Sequence, residues 1–230
     1  MKNYLNSKTF FKICCLLFIT LNAHAKPYFT SKNISFEIIG KPIDRKSQEF
    51  KNEISQIIAL QSNPDLHDLE LAFQEKNFNA MTLMKRAKIN ANPKTHRQLF
   101  ALLERVTDTS MSVTDDFKNH WQTKRPYLSD KRIKNLIAPS KGYAYPSGHT
   151  SGSFIFAHVL GMLYPSKYSK LQDIAQEIAD HRVLVGMHFP HDVEGGKKLA
   201  LVVVGGLIQN KEFQEDLTKA KKELSKRYFR

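Results

Sequence analysis

The sequence predicts an all-α protein, a single-domain helical bundle, and three observations carry that expectation. Apolar residues recur at helical spacing through most segments after Ser47, and no run alternates strictly enough to weigh as a strand. Prolines at 64, 93, 126, 165 and 190 cut the chain into pieces of helix length. Residues 26–230 are enough for one hydrophobic core.

Taken in order, residues 26–46 alternate loosely at Ile34, Phe36 and Ile38 between Pro27, Gly40 and Pro42, which predicts an extended arm. A helix follows from Ser47, with Ile54, Ile57 and Ile58 on one face. Asn63-Pro64-Asp65 reads as a stop and a fresh start for Leu66, Leu69 and Phe73, then Phe78 to Met84, and Asn92-Pro93 is another break. Leu99, Leu102, Leu103 and Val106 open a long helix that continues through Phe117 and Trp121 and ends near Arg125, because Pro126 disfavours helical geometry in the residue before it. The apolar run Phe154 to Leu163 reads as a buried helix. A helix carrying Leu171, Ile174, Ile178 and Val185 ends near Gly186, and Asp192 stands where an N-cap would, ahead of the run Leu199 to Ile208. The lysine-rich tail from Phe213 to Arg230 reads as an amphipathic helix with a solvated face.

The first 25 residues combine Lys2, Lys8 and Lys12 with the apolar run Phe10 to Leu21 and an Ala23-His24-Ala25 end. These are the parts of a secretory signal peptide cleaved after Ala25, and they predict a periplasmic or secreted protein. The run is too short for a comfortable membrane span, and no stable membrane anchor is expected. Both cysteines, Cys14 and Cys15, lie in this segment, so the remaining chain must rely on its core rather than on disulfides. Losing the three lysines lowers the formal charge from +13 to +10, which favours anionic partners. The basic residues are spread along the chain without aromatic interleaving, so no nucleic acid is expected among them. Homo-oligomerisation is left open.

Three clusters gather the chemistry. Lys118 and Arg125-Pro126 stand seven residues apart, close to two turns of a helix, so both cations would point the same way and would converge on one ligand only if the helix end bends, which Pro126 supplies. Pro146-Ser147-Gly148-His149 joins a loop to a helix. Ser147 or a neighbour would cap it, the first N–H groups would point out of Gly148, His149 and Thr150, and the glycine would let an anion approach. The third cluster is Arg182, His188 and Asp192, where a carboxylate near His188 can accept one imidazole N–H and fix the tautomer. Each cluster alone has a plain alternative: a basic face, a capped turn, a satisfied core histidine. Together they form the set that phosphoryl transfer needs, with cations and N–H groups for the oxygens, an imidazole to attack phosphorus and another to protonate the leaving oxygen.

In order and spacing, Lys118-x6-Arg125-Pro126, Pro146-Ser147-Gly148-His149 and Arg182-x5-His188-x3-Asp192 resemble the tripartite signature of the phosphatidic acid phosphatase type 2 superfamily, and within it the bacterial class A non-specific acid phosphatases. The resemblance implies a helical bundle of the acid phosphatase/vanadium haloperoxidase type acting on small-molecule phosphate monoesters, with no cofactor and no metal. It implies that Lys118, Arg125 and Arg182 bind phosphate with Ser147 and the backbone at Gly148. His149 would be the general acid, His188 the nucleophile that becomes phosphorylated, and Asp192 its partner. One departure is His181, where the family has a serine directly before the third-motif arginine. Altered fine positioning, rather than lost activity, is the expected consequence.

Four other readings stand beside this one. A phosphatase for lipid phosphates or pyrophosphates shares the superfamily. A vanadate-dependent haloperoxidase shares the anion site but is larger. A non-catalytic anion-binding protein would keep the cations without turnover. His191-Asp192 resembles the His-Asp pair of metal-dependent phosphohydrolases, but that chemistry needs more ligands on separate helices, and Pro190 spoils the helical context. His158 is expected to pack or face solvent, and His120 with Trp121 to be half-buried.

Overall fold

Residues 26–228 are described in the computed structural model, and every regular element among them is helical. The expected signal peptide over residues 1–25 lies outside the described residues. The helices are α1 (Gln48–Ser62), α2 (Leu66–Gln74), α3 (Ala80–Arg86), α4 (Arg97–Trp121), α5 (Pro126–Ser129), α6 (Gly148–Leu163), α7 (Tyr168–Leu184), α8 (Pro190–Gln209) and α9 (Lys211–Tyr228). Short 3₁₀ turns lie at Ser31–Asn33, Phe36–Ile39, Glu75–Asn77 and Pro165–Lys167.

Side-chain caps begin several of these helices. Ser47 Oγ accepts from the Phe50 N–H at 3.1 Å, and Asp65 Oδ1 from the N–H groups of His67 and Asp68 at 2.7 and 3.1 Å. Such caps contribute about 1 kcal/mol each. At α4 the capping residue is His96, whose side chain makes no cap bond. Glu223 of α9 replaces it, accepting from the Gln98 and Leu99 N–H groups. The tail helix is therefore not merely a solvated face: Phe213, Ala220 and Leu224 are buried, and Arg105 of α4 pairs with Glu212 and Asp216.

α6 is the helix the others pack around, meeting α7, α8 and α4. Its Ile155, Phe156, Val159 and Leu160 are buried in a core shared with Leu99, Leu102 and Val106 of α4, Leu171, Ile174 and Ile178 of α7, and Leu199 and Val203 of α8. Burial of each large apolar side chain stabilises by about 1.5–3 kcal/mol. α8 approaches α6 closely because Gly196 has no side chain. A Cβ there would stand 2.8 Å from the Ser147 carbonyl and 2.9 Å from the Thr150 Cβ. This contact seats the third sequence cluster against the second.

Four expectations are corrected. The arm over residues 26–46 is folded into two 3₁₀ turns rather than extended. Ser35 caps the second and Gly40, at φ +83°, ends it, so Ile39 is buried and Ile38 is exposed. α4 stops at Trp121, not near Arg125, because Gln122 adopts a left-handed conformation (φ 48°) and its N–H returns to the Lys118 carbonyl. Asp192 is not an N-cap. Phe189 holds that position, Pro190 is the first helical residue, and Asp192 is the third, its Oδ2 accepting from the Phe189 N–H at 2.8 Å. Finally, the run Leu199 to Ile208 is buried on one face only, with Leu201 and Ile208 exposed.

Candidate active site

Lys118, in the last turn of α4, donates from Nζ to the carbonyls of Tyr143 (2.8 Å) and Ala144 (3.1 Å). Arg125 is not on the same helix. It is the extended residue before Pro126 (φ −63°, ψ 155°) and caps α5. The two cations therefore reach the site from either side of a helix break at Gln122, and not from a bend at Pro126. The Arg125 Nη1 donates to the Met187 carbonyl at 3.1 Å and faces Nε2 of His188 at 2.7 Å.

The second cluster forms the start of α6, after a cis Tyr145–Pro146 bond. Ser147 is the N-cap, fully buried. Its Oγ accepts from the Thr150 N–H at 3.4 Å and the Thr150 hydroxyl at 2.9 Å, while its own N–H donates to the Asp192 carbonyl at 2.8 Å. The structure thus places Ser147 in the framework, tying α6 to α8, and not among the residues that line the cavity. Gly148 and His149 do line it. Their N–H groups precede the first helical bond, which runs from the Ser151 N–H to the Ser147 carbonyl, so they lie at the positive end of the helix. His149 Nε2 lies 3.0 Å from the Glu75 carbonyl, to which it donates in the neutral ring, leaving Nδ1 to carry a further proton.

In the third cluster, Arg182 near the end of α7 is almost fully buried. Its Nη2 donates to the Ala72 carbonyl (3.0 Å) and to Glu75 Oε2 (3.3 Å), and Nε has no protein partner. The turn beyond α7 needs Gly186 at φ +72°, where a Cβ would sit 2.3 Å from the Lys134 carbonyl. It carries the chain to His188. Nδ1 of His188 faces Asp192 Oδ2 at 3.5 Å, and the Arg125 donor on the other side makes Nε2 the lone-pair nitrogen. Asp192, the expected partner, is fully buried beneath the cavity.

The clusters meet around a cavity of about 650 Å³ whose walls include Lys118, Arg125, Gly148, His149, Arg182 and His188. Burial dominates its electrostatics. Lys118 is pushed down to about 7 by burial and by the neighbouring Arg125. Burial and then Arg182 lower His149 to about 4. Burial, then Arg125 and Lys118, hold His188 well below the usual imidazole range, so it is neutral. Burial raises Asp192, against the attraction of His191, Lys118 and Arg125. The site is short of negative charge, and an oxyanion would relieve it. A bound anion raises the affinity of Lys118 and His149 for protons. Between their empty-site values and the raised ones, the protein takes up protons on binding. Calorimetry with sulfate at pH 5–8, in buffers of different ionisation heat, should show net proton uptake; zero uptake or release would contradict this reading.

One functional residue escapes sequence reasoning. Glu75, at the end of α2, is buried (1% exposed) and its carboxylate meets Arg182, Arg86 (2.7 Å) and Nδ1 of His181 (2.8 Å), while its carbonyl takes His149. It holds both Arg182 and His149, two of the candidate site residues. His181, the departure noted in the third motif, is thus bonded to Glu75. A lone carboxylate in a polar stretch gives no spacing signal that could have found it. The set-aside histidines lie elsewhere: His158 bonds the Tyr168 hydroxyl at 3.1 Å and His120 stacks on Phe36 at 4.2 Å. Among the described residues no three His, Cys, Asp or Glu side chains gather into a group that could hold a metal ion, and no helix is long and apolar enough to cross a membrane.

Residues 101–214, which carry all three clusters, match the family model of the PAP2 superfamily, and the chain belongs to that superfamily. Among curated proteins it is similar to a non-specific acid phosphatase of Providencia stuartii, at 31% identity over 138 residues, covering 58% of this chain and 54% of the relative. An acid phosphatase of Zymomonas mobilis is 28% identical over 164 residues, 68% of this chain and 62% of that one. The chain thus spans less than two thirds of the length of these relatives. In fold it is similar to the crystal structure of a transmembrane PAP2-type phosphatidylglycerolphosphate phosphatase from Bacillus subtilis, with a TM-score of 0.53, 21% identity, and coverage of 74% of this chain and 89% of that one.

Proposed function

We propose that the protein is an exported acid phosphatase that hydrolyses phosphate monoesters without a metal, through a phosphohistidine at His188. The observation that carries this reading is the convergence of Lys118, Arg125 and Arg182 with the imidazoles of His149 and His188 on one cavity at the start of α6. The acid phosphatases among its relatives support the reaction class. The leader-like residues 1–25 support export.

In this scheme the three cations and the α6 N–H groups hold the non-bridging oxygens. Nε2 of His188 attacks phosphorus, the N–P bond forms, and the ester P–O bond breaks. His149 gives its proton to the departing oxygen. Substrate binding supplies the negative charge that lets His149 be protonated, since in the empty site it titrates at about 4. Water then attacks phosphorus, the N–P bond breaks, and His149 takes the water proton. Inorganic phosphate leaves and both rings return to their starting states.

The test is turnover of a chromogenic phosphomonoester with and without exhaustive chelation. Activity should be unchanged by chelator and inhibited by vanadate, which adopts the five-coordinate geometry of in-line transfer. A large loss restored by a divalent ion would contradict the reading, and no turnover at all would favour an anion-binding role.

A further inference from the structure

Behind Asp192 lies a third imidazole, one that the scheme above does not use. His191 is the second residue of α8, and Glu53 of α1 grips it twice. Glu53 Oε1 accepts from the His191 N–H at 2.8 Å, and Oε2 lies 2.5 Å from the ring Nδ1. The first contact supplies a cap that α8 lacks, because Phe189 has no side-chain acceptor. On its other side, Nε2 of His191 lies 3.4 Å from Asp192 Oδ1. That oxygen has no hydrogen-bond partner, whereas Oδ2 takes the Phe189 N–H and faces His188. The ring is held in place by Phe189, stacked at 5.4 Å, and by Tyr145, stacked at 6.0 Å. Glu53, His191, Asp192 and His188 thus form one row, carboxylate and imidazole alternating, from α1 to the cavity.

We propose that Glu53 and His191 are positioning residues for the nucleophile: as a charged pair docked on Oδ1 of Asp192, they hold that carboxylate in register with Nδ1 of His188. This rests on reading His188 as the nucleophile. An isolated buried carboxylate is costly, and a cation on its unused oxygen offsets that cost without touching the phosphate. The surroundings of His191 favour its charged form. Burial opposes the charge, but the Glu53 hydrogen bond and the field of Asp192 raise its proton affinity overall, against Arg45. Glu53 from α1, Asp192 from α8, Arg45 from the segment before α1, and Tyr145 from the loop before α6 are the titratable or charged groups that face it. The arrangement also keeps the protonated imidazole apart from the oxyanion site, since Asp192 stands between them.

The experiment is imidazole ¹⁵N spectroscopy of the full chain combined with steady-state kinetics. In the wild type at pH 7, His191 should carry protons on both nitrogens and His188 should be a single tautomer with hydrogen on Nδ1. In Glu53→Gln, His191 should lose its proton at a lower pH, His188 should become a mixture of tautomers, and kcat should fall about tenfold with KM and the phosphate inhibition constant within about twofold. Glu53→Asp, which keeps the charge, should recover part of the loss. A neutral His191 in the wild type at pH 7 would overturn the proposal without any variant. So would a Glu53→Gln protein whose His188 tautomer and kcat are those of the wild type. Retention of turnover by His188→Ala would instead overturn the nucleophile reading, while the spectra would still report whether His191 governs the tautomer of His188.

Discussion

His188→Ala should lose nearly all turnover for every substrate, whatever its leaving group, because no other imidazole in the cavity has a carboxylate behind it. His149→Ala should fail selectively. A nitrophenolate leaves with little proton assistance, so aryl ester turnover should survive far better than alkyl ester turnover, where acid catalysis contributes about 10²–10⁴-fold. The geometry separates the two rings. Nε2 of His188 is an acceptor beside Arg125, whereas His149 is tied through Nε2 to the Glu75 carbonyl and titrates at about 4 when the site is empty. Equal losses in the two variants across both ester types would contradict this division of roles.

Arg182→Ala should produce the second large effect, in binding and in fold together. One charge-assisted contact to the phosphate is lost, which should weaken vanadate by about 1.5–3 kcal/mol, or about ten- to a hundredfold. The buried Glu75 keeps Arg86 and His181 but loses a third partner, so the thermal midpoint should fall as well. Arg182→Lys should restore charge without the planar fork and recover only part of the affinity. Vanadate binding to Arg182→Ala as tightly as to the wild type would place the anion site elsewhere.

Much of this was legible in the sequence because helix period and proline placement report burial directly. The faces of α1, α4, α6 and α7 follow the apolar spacing, and the serine before Gly148 does cap α6. The three clusters come together as their order and spacing suggested, with Asp192 behind His188. What failed depended on single backbone states. Nothing in Gln122 announces a left-handed turn, so Lys118 and Arg125 were expected on one helix. The loose alternation of Ile34, Phe36 and Ile38 looked extended because a short 3₁₀ turn leaves little periodic trace. Glu75 and Glu53 act from helices distant in sequence, through contacts that exist only after packing. Spacing also does not report where a side chain turns: Ser147 lies in the second cluster but turns inward to the cap.

If phosphorus passes through His188, it can be trapped there. His149→Ala, mixed with a phosphate-labelled aryl ester and quenched at alkaline pH, where phosphohistidine survives, should carry label that maps to His188. Label on any other residue, or a His188→Ala protein that still acquires label and turns over, would show that His188 is not the nucleophile.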